Sequence, residues 1–247
     1  MASGDSAEPA RIAAEIAPQL DRVRLAVSGF MRTKTEEVSK RYDVPAPALL
    51  VLGMLRHTLP GRVVAVDDVL ELFVYAPSEQ TRAGIDALVT SGAVESARGH
   101  ALAVTDFGRE ILHTFFGLSR EFIDALWAGH AERVAALLPI AEQAAAAVSE
   151  TGGAAARIMT PPYDPPDASP ALRLAERLSV LRFHRFDAHA EAWRDEGLSA
   201  EQVQALEPGE QRDRVEAETN RRAAAPYAVL EPQQRLDLLG GLQQLPS

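Results

Sequence analysis

The chain has 247 residues, of which 47 % are hydrophobic and 24 % charged, with no cysteine and a formal net charge of −10. That balance belongs to a soluble globular protein with room for one large domain or two small ones. It excludes disulfides and thiolate-held metal, suits a reducing cytoplasm, and opposes a general attraction to nucleic acid.

The opening MASGDSAEPARIAAEI has no basic segment leading into an apolar core, so it does not read as a secretory signal. No apolar run is long enough to cross a bilayer, and no membrane partner is expected. Residues 1–9 read as a disordered tail. Ile12, Ile16, Leu20, Val23 and Val27 recur at three- and four-residue steps, which predicts an amphipathic helix with Pro18 at a kink or restart. Residues 30–42 carry Arg32, Lys34, Lys40 and Arg41, the densest basic patch in the chain. The patch reads either as a strip along a phosphate backbone or as a solvated helix face. Residues 1–45 are thus a region of N-terminal helices, closed by the break Asp43-Val44-Pro45-Ala46-Pro47.

Residues 46–116 are predicted to hold a support helix over 48–59, a short strand over 61–64 and a helix over 66–73. The turn Tyr75-Ala76-Pro77 follows. Ser78 is expected to cap a second helix with Ile85, Leu88 and Val89 at helical spacing, closed by Gly92. Val94 starts a strand, Arg98-Gly99-His100 is a tight turn, and Leu102 and Val104 return. Thr105 caps the next helix, which carries Gly108, Ile111 and Leu112. This is the order of a winged helix-turn-helix.

In that plan the N-terminal residues of the second helix meet base edges. Gln80 and Arg82 suit bases, Ser78 and Thr81 suit phosphate oxygens, and Arg98 and His100 suit the backbone or the minor groove. The partner implied is double-stranded DNA. From 46 to 116, however, acids outnumber cations. The other reading makes these residues ordinary surface on a fold kept for another use.

A long helix over 117–150, with Phe122, Leu126, Val134, Leu137, Leu138 and Ile140, reads as a connecting strut for a homodimer. Thr151-Gly152-Gly153 ends it. Residues 151–170 read as a linker, since TPPYDPPDASP holds five prolines. Residues 171–247 form a C-terminal helical domain. Its first helix, over 171–197, puts Leu178, Arg182, Arg185, Phe186, His189 and Trp193 on one side. Arg173, Arg177, His184, Asp187, Glu191 and Asp195 fall opposite, as a solvated face. Arginine in an apolar stripe needs an anion. Glu216 and Glu218 are internal candidates; the alternative is a small acidic or aromatic ligand held by Arg182 or Arg185, with His189 beside it and Trp193 as a wall. Residues 208–225 form a highly charged helix, and a last one over 231–245 has Leu236, Leu239, Leu242 and Leu245 on one stripe.

His184 and His189 are five apart and cannot share a metal ion on one helix face. The chain has no glycine-rich phosphate loop, nucleophile elbow or HExxH motif. No cofactor and no enzymatic activity are therefore expected.

The stretch LRFHRFDAHAEAWRDEGL over 181–198 resembles a motif of an actinobacterial MarR-like helix-turn-helix family, in which L-R-x-H-R-x-D-x-H precedes Gly-Leu. VEAETNRRAAAPYAVL over 215–230 resembles the helix near that family's C-terminus. Members usually carry a winged helix between the two motifs; here 199–214 separates them, and the winged-helix pattern lies in the N-terminal half. The expected fold is mainly α: an N-terminal winged helix with a small β wing, then a C-terminal helical domain. The resemblance implies a MarR-like, dimeric, DNA-binding transcriptional regulator that responds to a small ligand. The alternative is a helical small-molecule-binding or protein-interaction module whose winged helix does not bind DNA.

Overall fold

The computed structural model describes residues 7–55 and 62–247. Among these the protein is mainly helical, with twelve α-helices and one three-stranded antiparallel sheet in the N-terminal part. No helix is long and apolar enough to cross a membrane. Most of the expected N-terminal tail, and residues 56–61 of the expected support helix and first strand, lie outside the described residues.

Helix α1 (Ala7–Tyr42) runs unbroken through Pro18. The expected kink gives way because Ile12, Ile16, Leu20, Val23 and Val27 form one buried stripe that continues past the proline. Tertiary packing of an apolar face outweighs a local helix penalty. Next come α2 (Ala46–Met54), β1 (Val63–Ala65), α3 (Val66–Leu72), α4 (Ser78–Thr90), β2 (Val94–Ala97), β3 (Ala101–Val104) and α5 (Asp106–Leu126).

The sheet has β3 in the middle, with Val63 opposite Ala103 and Val94 opposite Val104. Gly92 and Gly99 both have φ of +77°, the conformation the turns demand. Thr105 accepts a hydrogen bond from the Gly108 amide at 3.1 Å and caps α5 as expected. Gly108 sits where any side chain would run into the Ala93 carbonyl, so α5 can lie directly on the β2 strand entry.

The expected single helix over 117–150 is two helices. Helix α5 stops at Trp127, a 3-10 turn spans Ala128–His130, and α6 covers Ala131–Thr151. Trp127 is buried and its indole donates to the Pro246 carbonyl at 3.0 Å. After the turn, α6 packs on α8 while α5 packs on α1 and α8. Both segments are core helices rather than one projecting strut.

The stretch 151–170, expected as a linker, is also packed. It contains α7 (Ala154–Met159), whose Ala155, Ala156, Ile158 and Met159 are buried. Its proline-rich part is strapped down: Asp164 accepts from Arg177 at 2.5 Å, Asp167 pairs with Arg120 at 2.5 Å, and Tyr163 stacks on Phe116. Arg62 adds a tie from beside β1, donating to the Thr160 and Arg157 carbonyls at 2.5 Å.

Helix α8 (Pro170–Asp195) is the central element, packed against α1, α5, α6, α7 and α10. Ser169 caps its start and Gly197, at φ +72°, follows its end. Helices α9 (Ala200–Gln204), α10 (Glu210–Arg222), α11 (Ala225–Ala228) and α12 (Pro232–Gln243) complete the chain. On α12 the expected leucine stripe is shifted. Leu236 is 48 % exposed, while Leu238, Leu239, Leu242 and Leu245 are buried. Steps of three fall about 60° short of a turn, so a strict three-residue stripe rotates off one face. One apolar cluster runs from Ile12 to Leu245 and joins residues before and after the proline-rich stretch.

Candidate functional site

Helix α4 lies on α2 and leaves Ser78, Glu79 and Gln80 of its first turn in solvent. The cap is Pro77 rather than Ser78, and Ser78 makes no capping bond. Proline ahead of the helix fixes φ for helical entry, which leaves the serine hydroxyl outward. Ser78, Gln80 and Arg82 are exposed, as are Glu79 and Asp86. Thr81 is not: it is 4 % exposed, on the face that also holds Gly84, Ile85 and Leu88. Its expected contact with phosphate is corrected by this burial. Arg98 and His100 are exposed at the tip of the β2–β3 hairpin. His100 adopts φ of 56°, and its carbonyl accepts from the Val66 amide at 3.0 Å.

A groove of about 610 Å3 separates α4 from the hairpin. Arg82, Asp86 and Val89 line one side of it, Ser96 and His100 the other. Two arginines, Arg82 and Arg98, thus stand near three exposed acids, Glu79, Asp86 and Glu95.

The α8 stripe has a different character, because its polar atoms are engaged by side chains from other elements. Arg182 Nε donates to Asp21 at 2.8 Å and its guanidinium lies over Phe183. Arg185 donates to Asn220 at 2.7 Å and to Glu216 at 3.2 Å. Glu216 is therefore the acid that meets the stripe; Glu218 pairs with Arg221 and Arg222 instead. The Trp193 indole donates to the Tyr75 hydroxyl at 3.0 Å, and that hydroxyl is 2.5 Å from His189 Nδ1.

An indole N–H can only donate, so the Tyr75 oxygen accepts from Trp193 and still has its own O–H to give. The other ring nitrogen, Nε2, faces Glu216 at 4.0 Å. Burial pushes His189 below the usual histidine range, with Glu216 opposing and Arg185 assisting. Burial also raises Tyr75, against the Trp193 bond.

The sequence places Tyr75 in a turn but gives no sign of its bonds to the α8 stripe. Tyr75 belongs to the turn between α3 and α4, where polar or glycine residues are usual. An aromatic in a turn was the available signal. Its ring meets Phe186 edge-on at 5.1 Å, and it joins Val74, Trp193 and Val215 in a second apolar cluster. Nearby, Arg194 pairs with Glu71 at 2.6 Å and Arg157 with Asp68 at 2.8 Å. Helix α3 and its turn are thereby docked on the C-terminal half.

The opposite face of α8 was expected in solvent and is largely buried, because α6 and α7 cover it. Arg177 is 6 % exposed and His184 is 3 % exposed. His184 Nε2 is 3.0 Å from the Thr151 hydroxyl; burial depresses its pKa to about 4, opposed by the Thr151 backbone. The Asp187 carboxylate accepts from the Ala155 and Ala156 amides at 3.0 and 2.8 Å. Burial raises Asp187 to about 6 in spite of these bonds. Only the end of this face is solvated, where Glu191 and Asp195 pair with Arg222. Among the described residues no group of three or more His, Asp or Glu is placed to hold a metal ion.

No family model, curated protein or solved structure matches this chain.

Proposed function

We propose that the segment from α2 to β3 is a winged helix-turn-helix and that the protein is a MarR-like transcriptional regulator, cytoplasmic and acting as a homodimer on double-stranded DNA. The carrying observation is that Ser78, Gln80 and Arg82 at the start of α4 and the hairpin tip are exposed together. Arg82 and His100 line one groove, and Gln80 and Arg98 project beside it. The order helix, strand, helix, helix, hairpin supports the same reading. Gln80 and Arg82 read base edges; Ser78, Arg98 and His100 hold the backbone.

A second reading is favoured by the exposed acids Glu79, Asp86 and Glu95 on that surface. It makes the protein an interaction or small-molecule-binding module whose winged helix does not bind DNA. The two are separated by titrating the protein with DNA from upstream of its own coding sequence across a range of salt. The regulator binds saturably at physiological salt and loses affinity as salt rises. Arg82→Ala then costs about 1–3 kcal/mol of specific binding. Absence of binding even at low salt overturns the regulator reading and supports the module.

A further inference from the structure

Helix α3 and its turn reach the C-terminal half by two kinds of tie. Two are ion pairs, Arg157 with Asp68 and Arg194 with Glu71. The third is Tyr75. Its hydroxyl oxygen accepts from the Trp193 indole at 3.0 Å and lies 2.5 Å from His189 Nδ1, and no other hydrogen bond reaches it among the described residues. Gln204 of α9 donates to the carbonyl of the same residue at 3.3 Å. Two residues on, the Pro77 carbonyl accepts from the Gln80 amide at 3.0 Å and opens α4. A shift of Tyr75 is thus passed to the start of α4.

While the His189 ring is neutral, one hydrogen bond joins it to Tyr75. A protonated ring carries a hydrogen on both nitrogens and accepts nowhere. Two donors, Nδ1 and the Trp193 indole, then converge on one phenolic oxygen, and the Tyr75 O–H can no longer be given to His189. The charged groups around the ring divide. Glu216 of α10 faces Nε2 at 4.0 Å and favours the charged ring. Arg185, one turn earlier on α8, opposes it and is itself bonded to Glu216 and to Asn220 of α10. Arg194 lies over the Trp193 ring and is held by Glu71 of α3. Burial outweighs Glu216, so His189 falls below the usual histidine range. Its contribution to docking is therefore complete above about pH 6.5 and is lost as pH falls below that value. The side chain is 28 % exposed, so protons reach it from solvent.

We infer that the contact of Tyr75 with His189 is a proton-operated latch: when His189 takes up a proton from solvent, the turn between α3 and α4 is released from α8. The ion pair of Arg157 with Asp68 and the packing of α4 on α2 remain, so the chain opens at the turn while the fold persists. This inference goes beyond the proposed function, and its test needs no DNA.

The full chain is labelled with nitrogen-15 in its two tryptophans and followed by NMR from about pH 8 to about pH 5. Trp193→Phe assigns the two indole signals. The Trp193 signal is expected to move with a midpoint below about 6.5, while the Trp127 signal, from an indole bonded to the Pro246 carbonyl, stays in place. Over the same range, backbone deuterium exchange in residues 73–82, corrected for the intrinsic rate, should lose about tenfold or more of its protection, and α8 should keep its own. Both changes should vanish in His189→Gln. Glu216→Gln still offers Arg185 an acceptor but removes the charge facing the ring, and should move the midpoint to lower pH. The latch is overturned if the Trp193 signal is fixed, if it moves without loss of protection in the turn, or if Trp127 moves with it as in acid unfolding. It is equally overturned if the changes survive His189→Gln, which leaves in place Asp187, a carboxyl raised to about 6 on the opposite face of α8. Should His189→Gln fail to fold, Glu216→Gln decides, and an unmoved midpoint there overturns the latch.

Discussion

Arg82 on α4 and Arg185 on α8 both flank apolar side chains on a helix face. Arg82 projects into solvent beside an open groove, whereas Arg185 is bonded to Asn220 and Glu216. The same contrast holds for Gln80, left exposed, and Trp193, 4 % exposed with its indole satisfied by Tyr75. Residue type does not separate a surface available to a partner from one already used by the fold; the partners within the molecule do. Substitutions on α8 should therefore move stability, while those on the α4 surface should leave it unchanged.

The largest effect is expected at Arg177. Its side chain is 7 % exposed and reaches Asp164 at 2.5 Å and Glu142 at 3.5 Å. Arg177→Ala empties a buried site and leaves both acids with Arg173 alone, and should cost about 2–3 kcal/mol in urea unfolding. A loss below about 0.5 kcal/mol would remove α8 from its place in the comparison.

The buried pair His184 and Asp187 should give a pH signature next in size. His184 falls to about 4 in the fold, so between pH 4 and 6.5 the unfolded chain holds the extra proton. Its contribution to stability therefore rises with pH across that window. Asp187 rises to about 6, so between pH 4 and 6 the folded chain holds the extra proton and its contribution falls as pH rises. The two slopes oppose each other. In His184→Gln the first is gone, so the parent should gain about 2 kcal/mol relative to the variant between pH 4 and 6.5. A constant difference across that range would mean that His184 is not held neutral.

Tyr75→Phe comes third. It removes the acceptor for the Trp193 indole and the partner of His189. Leaving such groups unpaired costs about 1–2 kcal/mol, read as a lower melting temperature. The smallest effect belongs to Arg82→Ala, which should change stability by less than about 0.5 kcal/mol. A marked loss there would show that α4 is also spent on the fold and erase the contrast.

The N-terminal segment was the more legible part of the sequence. Thr105 as a cap, Gly92 and Gly99 as positive-φ positions, and the order of short helices and hairpin are local signals, and the chain folds there as they indicate. The exposure of Arg82, Arg98 and His100 was legible for the same reason. Thr81 was misplaced because its side depends on where α2 lies, which no local pattern records. The rest of the molecule depends on distant partners. The continuity of α1 through Pro18, the stop at Trp127, the burial of α7 and the cover over His184 all come from packing between elements far apart in sequence. Tyr75 was hidden because its turn faces α8, more than a hundred residues on.

The long first helix sets a further condition, one of time. Arg22 of α1 donates to the carbonyls of Leu242 and Leu245, and Arg235 of α12 pairs with Glu8, contacts that span 220 residues or more. The helix is about 54 Å long and its apolar stripe is closed in part by α12, which is made some 200 residues later. Loops of that length close late, and topologies rich in distant contacts fold slowly. During synthesis the part of the α1 stripe that α12 covers thus stays open until residues 232–243 have been made.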